Sequence, residues 1–333
     1  FFQVIAKCFL GMPLNFLDKL NNKIGLGLAA LGRPEYINIH HNQELGSDKS
    51  KEKLSKISYG MIDYAFSKGI KYFDAARVYG ASEEFLSNWS KLNKDKEVYC
   101  GSKWGYEYLA NWELHSKIHE RKDHSLNFFK KQLAESKFFL GHKINLYQIH
   151  SATKDTGVLN DNKILDSLYA LKEEGIQIGI STTGLDQNEM IEKVIEINKK
   201  SVLFSSIQST YNIFEQNSEN YLIKARHEGI SIIIKEVFAN GRLSSKNHKY
   251  NHEIISDMKQ HSLVLNQSIE NMAFLWVLQK PWVDIVLSGA TTKTQIDENF
   301  NCLQFLKLEL GFLKQYKLPS DLYWLDRKKL NWN

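Results

Sequence analysis

From residue 22 onward, short apolar, β-branched runs alternate with longer stretches of helical period. The runs are Ile24–Leu28, Ile70–Phe73, Glu97–Ser102, Ile144–Ile149, Ile176–Ser181, Val202–Gln208, Ile230–Ile234 and Asp284–Leu287. Between and after them, apolar positions recur at helical spacing over about 49–68, 81–93, 123–140, 161–174, 187–199, 218–228, 266–279 and 293–307. Gly69, Gly175 and Gly229 each fall between a helix and the next strand, where a left-handed C-cap is wanted. Short, apolar strands alternating with helices predict a buried parallel sheet. Eight such units close most naturally into a single-domain (β/α)8 TIM barrel, with an open doubly wound sheet as the alternative. The barrel is expected over 23–310, after an N-terminal extension (1–22) and before a C-terminal tail (311–333). Two stretches break the rhythm, Trp104–Glu120 and Glu236–Asn251. In a barrel both hang over the C-terminal face, where active sites lie.

Composition narrows the class of function. The chain has 333 residues, with 43 basic and 38 acidic for a net charge of +5. Only six of the basic residues are Arg, and the lysines are scattered along polar helix faces, as at Lys49, Lys51, Lys53 and Lys56. There is no basic stripe with interleaved aromatics, so nucleic acid is not an expected partner. No apolar run approaches the roughly 20 residues that span a bilayer, so no membrane partner is expected either. Cys8, Cys100 and Cys302 are far apart and odd in number, which makes neither a disulfide framework nor a CxxC metal site. A reducing, cytoplasmic setting is expected. The apolar stretch 1–17 is interrupted by Lys7, Gly11, Pro13 and Asn15 and reads as an extension packed on the domain rather than a secretory signal.

Three motifs compete for the chemistry. Gly25-Leu-Gly27-Leu-Ala-Ala30 satisfies a dinucleotide fingerprint, but Gly32 and Pro34 follow where a helix should run, so a glycine-rich turn fits better. His115, His119 and His124 sit close in sequence, and His40-His41 form a pair. No acidic partner at metal-site spacing accompanies them, so they read as surface or loop histidines and no metal is expected. The third pattern is the strongest. Asp74, Lys103 and His150 end the second, third and fourth strands, and Tyr79 follows Asp74 by five residues. A barrel gathers all four at one mouth. A tyrosine with a pKa near 10 is a poor acid at neutral pH, and a nearby lysine cation favours the tyrosinate and lowers that pKa. The aspartate keeps the lysine charged and in place, and the histidine orients a carbonyl oxygen. Together they can polarise a carbonyl and protonate its oxygen as hydride arrives at carbon.

On these residues the chain resembles the aldo-keto reductases over about 22–310. Phe73-Asp74-Ala-Ala-Arg-Val-Tyr79-Gly80-Ala-Ser82-Glu83-Glu84 is similar to that family's Asp-x-Ala-x-x-Tyr-Gly-x-Ser-Glu segment, and Lys103 and His150 match the rest of its catalytic tetrad. The resemblance implies a barrel binding NAD(P)H in extended form, acting on a small aldehyde, ketone or sugar, or on the matching alcohol. It also implies cofactor contacts. Ser181 and Gln208 match carboxamide contacts, while Thr182 replaces the usual Asn. Lys235-Glu236 stands where many members place an aromatic against the nicotinamide, with Phe238 as a substitute. Gly289, Thr291, Thr292, Lys293, Gln295, Glu298 and Asn299 lie in a segment similar to the family's adenosine-phosphate segment. Many members carry Arg or Lys where Thr291 or Gln295 stands. Lys293 is the cation of the segment, so NADP is expected, with NAD as the alternative. Trp104 and Tyr106, with Tyr108 and Trp112, are expected to wall the substrate pocket, as are tail aromatics such as Tyr323, Trp324 and Trp332. Two other readings share these residues: a cofactor-sensing regulatory partner protein of the same fold, and an NAD-dependent alcohol or sugar dehydrogenase.

Overall fold

The computed structural model describes residues 16–39 and 44–332. Among them, eight parallel strands close into a barrel. In chain order they are β1 (Ile24–Gly27), β2 (Tyr72–Asp74), β3 (Tyr99–Trp104), β6 (Ile144–Ala152), β7 (Gln177–Thr182), β8 (Phe204–Thr210), β9 (Ser231–Lys235) and β10 (Ile285–Ser288). Neighbours in sequence are neighbours in the barrel, and β10 returns to β1 through the register Gly25↔Leu287. β4 (Tyr106–Tyr108) and β5 (Glu120–Lys122) form a separate antiparallel hairpin over the mouth.

The helices form where the apolar period calls for them, and polar caps start several of them. Ser50 caps α1 (Lys51–Ser67), which is followed by α2 (Ser82–Leu92). Ser125 caps α3 (Leu126–Leu140), and Asp161 caps α4 (Asn162–Glu173). These side chains accept hydrogen bonds from backbone amides of the first turn that would otherwise be unpaired. α5 (Gln187–Lys200) and α6 (Glu219–His227) complete the middle of the ring. Then come α7 (His252–Leu265), α8 (Ile269–Leu278), α9 (Lys293–Asn301) and α10 (Ser320–Lys328).

Strand alternation explains the interior. Side chains two apart share a face, so the inward column climbs Tyr72–Asp74, Leu146–Gln148–His150 and Ile233–Lys235. The lower layer is apolar: Tyr72, Leu146, Ile233, Ile285 and Leu287 pack with Phe16 and Leu17. Phe16 lies on the rings of Tyr72 and Tyr99 at 5.6 and 5.1 Å, and its short 3-10 turn, Phe16–Lys19, plugs the bottom of the barrel. The upper layer is charged and faces the mouth. The larger apolar core lies outside the strands, between them and the helices.

Three departures from the sequence reading have local causes. The hairpin β4–β5 replaces part of an expected loop, because three-residue, half-exposed strands leave no clear alternation. α7 was not expected, since of its fourteen residues only Ile255 and Met258 are buried, too few for an apolar stripe. α10 forms within the expected tail. The residues 1–15, including Cys8, and the pair His40-His41 lie outside the described residues. No helix among the described residues is long and apolar enough to cross a membrane.

Candidate active site

The strand ends bring the four expected groups together. The Lys103 ammonium, fully buried, donates to Asp74 Oδ2 at 2.5 Å, to the Ala75 carbonyl at 3.0 Å and to Tyr79 Oη at 3.4 Å. Tyr79 Oη lies 3.3 Å from His150 Nε2. Asp74 is held from its other oxygen as well: Oδ1 accepts from Tyr72 Oη at 3.0 Å, Gln148 Nε2 at 3.2 Å and Gln208 Nε2 at 3.1 Å. Tyr72 and Gln148 escaped sequence reading, although counting back two residues from Asp74 and from His150 reaches both. Gln208 faces the cavity, and its amide also serves Asp74.

Two glycines make this geometry attainable. A Cβ on Gly101 would lie 2.3 Å from Tyr72 Oη, so only glycine lets that phenol reach Asp74. Gly80 follows Tyr79 with φ +58°, and a Cβ there would meet the Gly32 carbonyl at 2.6 Å. The turn carrying Tyr79 is braced by Ser82 Oγ donating to the Ala76 carbonyl and by Arg77 paired with buried Glu83 at 2.8 Å. The residues around the tyrosine in the motif therefore have a mechanical role.

Protonation follows from burial. Burial raises the Tyr79 pKa, Asp74 adds to the rise and Arg33 opposes it. The expected lowering by Lys103 is thus outweighed, and the phenol keeps its proton. Burial, then Lys103, Lys235 and Arg33, hold the His150 pKa well below its ordinary value, so the imidazole is neutral. Its Nδ1 has no hydrogen-bond partner among the described residues. A proton on Nε2 leaves only a lone pair at Nδ1, which costs less to strand than an N–H.

His124 lies beneath and shares a 2.9 Å hydrogen bond between its Nε2 and the His150 carbonyl. Burial lowers its pKa to about 4. It is neither a surface histidine nor grouped with His115 and His119, which both approach Glu35, at 3.3 and 3.9 Å. Among the described residues no cluster of three or more ligating side chains is placed to hold a metal. Because the unfolded chain protonates His124 near 6.5 and the fold resists until about 4, its stability contribution falls with pH across that window. By pH 5 the loss attributable to His124 is about 2 kcal/mol. His124→Gln keeps a donor for the His150 carbonyl and should shrink the drop in unfolding free energy between pH 7 and pH 5 by that amount. Equal drops in the two proteins, measured by urea unfolding, would remove His124 as the cause.

The mouth opens into a cavity of about 1320 Å³. Above Tyr79 stand Arg33, Tyr36, Tyr106, Glu120, Lys122 and Trp332. Arg33 is sandwiched between the rings of Tyr36 and Trp332, 5.1 and 4.7 Å from their centroids, and pairs with Glu120 at 3.1 Å. Trp332 stacks on His119 at 4.1 Å, which fixes the end of the tail. Trp324 also reaches the cavity, while Tyr323 is buried beside it. Trp104 does not reach the cavity. It follows inward-facing Lys103, so it points outward into the core and meets Phe129 at 4.9 Å and His124 at 5.5 Å. Trp112 turns away as well, donating its indole N–H to the Lys49 carbonyl. Of the hairpin aromatics expected on the wall, Tyr106 lines the cavity.

Lys235 reaches the cavity from β9 and donates to Thr210 Oγ1 at 2.8 Å. Burial lowers its pKa to about 8 against the pull of Glu236. Burial would raise Glu236, but Arg327 and Lys235 overcome it and hold the carboxyl at about 2. Arg327 of α10 grips Glu236 through Nε at 3.0 Å and a second nitrogen at 2.5 Å, a bidentate pair that ties the tail to the barrel rim. Phe238 also lines the cavity and stacks on Phe274 at 5.8 Å.

The other expected contacts divide. Gly289, Thr292, Gln295, Glu298 and Asn299 line the far arm of the cavity. Ser181 and Thr182 do not reach its surface. Ser181 Oγ accepts from the Ser151 amide, where φ is +48°, and Thr182 Oγ1 donates to Ser209 Oγ. Thr291 is buried and donates to Glu44. Lys293 leaves the cavity altogether and lies over the Tyr64 ring, 5.2 Å from its centroid. As the first residue of α9 it projects toward α1, away from the arm.

The closed barrel and its charged, tyrosine-bearing mouth define an α/β-barrel oxidoreductase. The chain belongs to the aldo/keto reductase family, whose model matches residues 23–315. It is similar to an uncharacterized oxidoreductase of Bacillus subtilis (strain 168), YqkF, at 23% identity over 84% of this chain and 91% of the relative. It is also similar to the aldo-keto reductase YhdN of the same strain, at 23% identity over 83% of each chain. Among solved structures, the holo form of aldo-keto reductase AKR11C1 from Bacillus halodurans superposes with a TM-score of 0.67 at 20% identity, covering 90% of this chain and 94% of that one.

Proposed function

We propose that this protein transfers hydride between a nicotinamide dinucleotide and the carbonyl of a small aldehyde, ketone or sugar, or its alcohol. The observation that carries the reading is the buried contact series Asp74–Lys103–Tyr79–His150, opening on one cavity. The residues fit the cofactor. The cavity exceeds the 300–1,000 Å³ usual for small ligands. It runs from Tyr79 past Lys235 to Gly289 and the start of α9, and a Cβ on Gly289 would meet nothing within 4 Å, so backbone there is open to a phosphate-bearing chain. Gln208 and Ser151 would face the nicotinamide end, and Asn299 and Glu298 the adenosine end.

When bound, the reduced nicotinamide supplies the hydride. The chain's residues do the rest. His150 donates from Nε2 to the carbonyl oxygen and fixes the carbonyl between itself and Tyr79. Tyr79 gives its phenolic proton to that oxygen as carbon gains the hydride. Lys103 stabilises the resulting tyrosinate, and Asp74, clamped by Tyr72, Gln148 and Gln208, keeps Lys103 charged and aimed. Arg33, from the loop after β1, together with the tail residues Trp332 and Arg327 covers the substrate and keeps water from the reacting atoms. Aromatic faces beside Arg33, Glu120 and Lys122 suit a hydroxylated carbonyl compound better than a hydrocarbon one.

The test is steady-state consumption of NADH or NADPH with a panel of short aldehydes, ketones and aldoses, together with the reverse reaction on the matching alcohols. Turnover with at least one substrate class is expected. Failure in both directions, with both dinucleotides, would defeat the reading.

A further inference from the structure

We infer that Glu44, on the segment between β1 and α1, sets the dinucleotide preference of this site and selects NAD(H) over NADP(H). The inference rests on the dinucleotide reading above, with adenosine at the start of α9. Glu44 is distant in sequence from α9 but touches its first turn. Its Oε2 accepts from Thr291 Oγ1 at 2.6 Å, and its Oε1 accepts from Gln295 Nε2 at 2.8 Å. Glu44, Thr292 and Gln295 all line the cavity.

A ribose 2′-phosphate needs cations and free amides; a ribose 2′-hydroxyl needs an acceptor. Both cations and free amides are in short supply on this arm, where acids outnumber the lining cation Lys246 and several amides at the start of α9 are already engaged. Helix N-terminal amides can bind a phosphate, but Gln295 Oε1 already accepts from the Thr291 and Thr292 amides at 2.8 and 3.2 Å. Thr292 Oγ1 in turn accepts from the Gln295 amide, so the first turn is capped by its own residues. Lys293, the cation of the segment, lies on Tyr64 and outside the cavity. The remaining charges on this arm are mostly acidic. Glu44, Glu270 and Glu298 line it with Lys246, and Glu298 is raised in pKa by burial and then by Glu270, with Lys246 opposing.

A 2′-phosphate brings a charge of nearly −2 at neutral pH. Placed at Thr292 and Gln295, which line the cavity with Glu44, it meets the Glu44 carboxylate directly. A 2′-hydroxyl there is neutral and donates to the same carboxylate. One residue thus attracts one dinucleotide and repels the other, the usual basis of a sharp preference. The expectation of NADP from Lys293 is thereby reversed, because that lysine points the wrong way and an acid from a distant loop takes the place.

The test is a fluorescence titration of the full chain with NADH and NADPH. Wild type is expected to bind NADH about 100-fold more tightly, in line with two opposed effects at one carboxylate. Glu44→Gln should bring the two affinities within about fivefold, and Glu44→Arg should invert their order. Wild type needs no substitution for a second check: raising ionic strength should narrow the gap, because salt screens the repulsion of NADPH. NADPH binding as tightly as NADH in wild type would overturn the inference while leaving the dinucleotide reading intact. An unchanged ratio in Glu44→Gln would do the same. Binding of neither nucleotide would remove the dinucleotide reading and this inference with it.

Discussion

Tyr79→Phe should lower turnover by about 10³-fold while changing the affinity for NADH by less than twofold. The phenolic oxygen lies within reach of both Lys103, at 3.4 Å, and His150, at 3.3 Å. In the proposed reaction, removing it deletes the proton donor and leaves the ring, the cavity wall and Asp74–Lys103 in place. Burial holds the proton on Tyr79, and in the proposed reaction it leaves only as charge develops on the substrate oxygen beside the Lys103 ammonium. The loss should therefore fall on kcat rather than on dinucleotide binding. Rapid-mixing measurement of the hydride step, with a titration on the same preparation, separates the two. Turnover within tenfold of wild type would take proton transfer away from Tyr79 and leave His150 as the donor.

The second large effect is on Lys103→Met. Lys103 and Asp74 are 0% and 3% exposed in their side chains, so each is the other's neutralising partner out of water. Truncating one partner of such a pair strands the other charge and costs about 3–5 kcal/mol. Asp74 keeps three neutral donors in Tyr72, Gln148 and Gln208, which places the expected loss near the lower bound. Turnover should fall together with stability, since the tyrosinate loses its cation. The double variant Asp74→Asn/Lys103→Met removes both charges. It should recover at least half of the lost stability and none of the activity. Urea unfolding of the two single variants and the double variant gives the coupling directly. Additive losses would show that the pair is not coupled in the fold, and activity regained in the double variant would show that neither charge serves the reaction.

Most of the architecture is legible in the sequence alone. β-branched runs ending in Asp74, Lys103 and His150 are short-range signals, because strand and helix periods are written in neighbouring residues. What escaped was of two kinds. α7 and the hairpin β4–β5 carry too few buried side chains for their period to stand above the polar background. Trp104 departs from expectation for a different reason: it adjoins Lys103 in sequence, and alternation from that inward-facing lysine sends it outward to Phe129. Counting by two from the lysine corrects it, and the same count finds Tyr72 and Gln148.

The sequence by itself determined the barrel and the four groups at its mouth, since both depend on local period and on which residue ends each strand. It did not determine the sign of the field around them. The cation counted on, Lys293, is adjacent in sequence to the cavity segment but turns onto Tyr64, while Glu44 and Arg327 arrive from opposite ends of the chain. Charge acts through space over several ångströms, and which charges share that space is set by how the loops and tail close over the barrel. Local period decides the scaffold; only tertiary packing decides whether an acid or a base stands at a given point in the cavity.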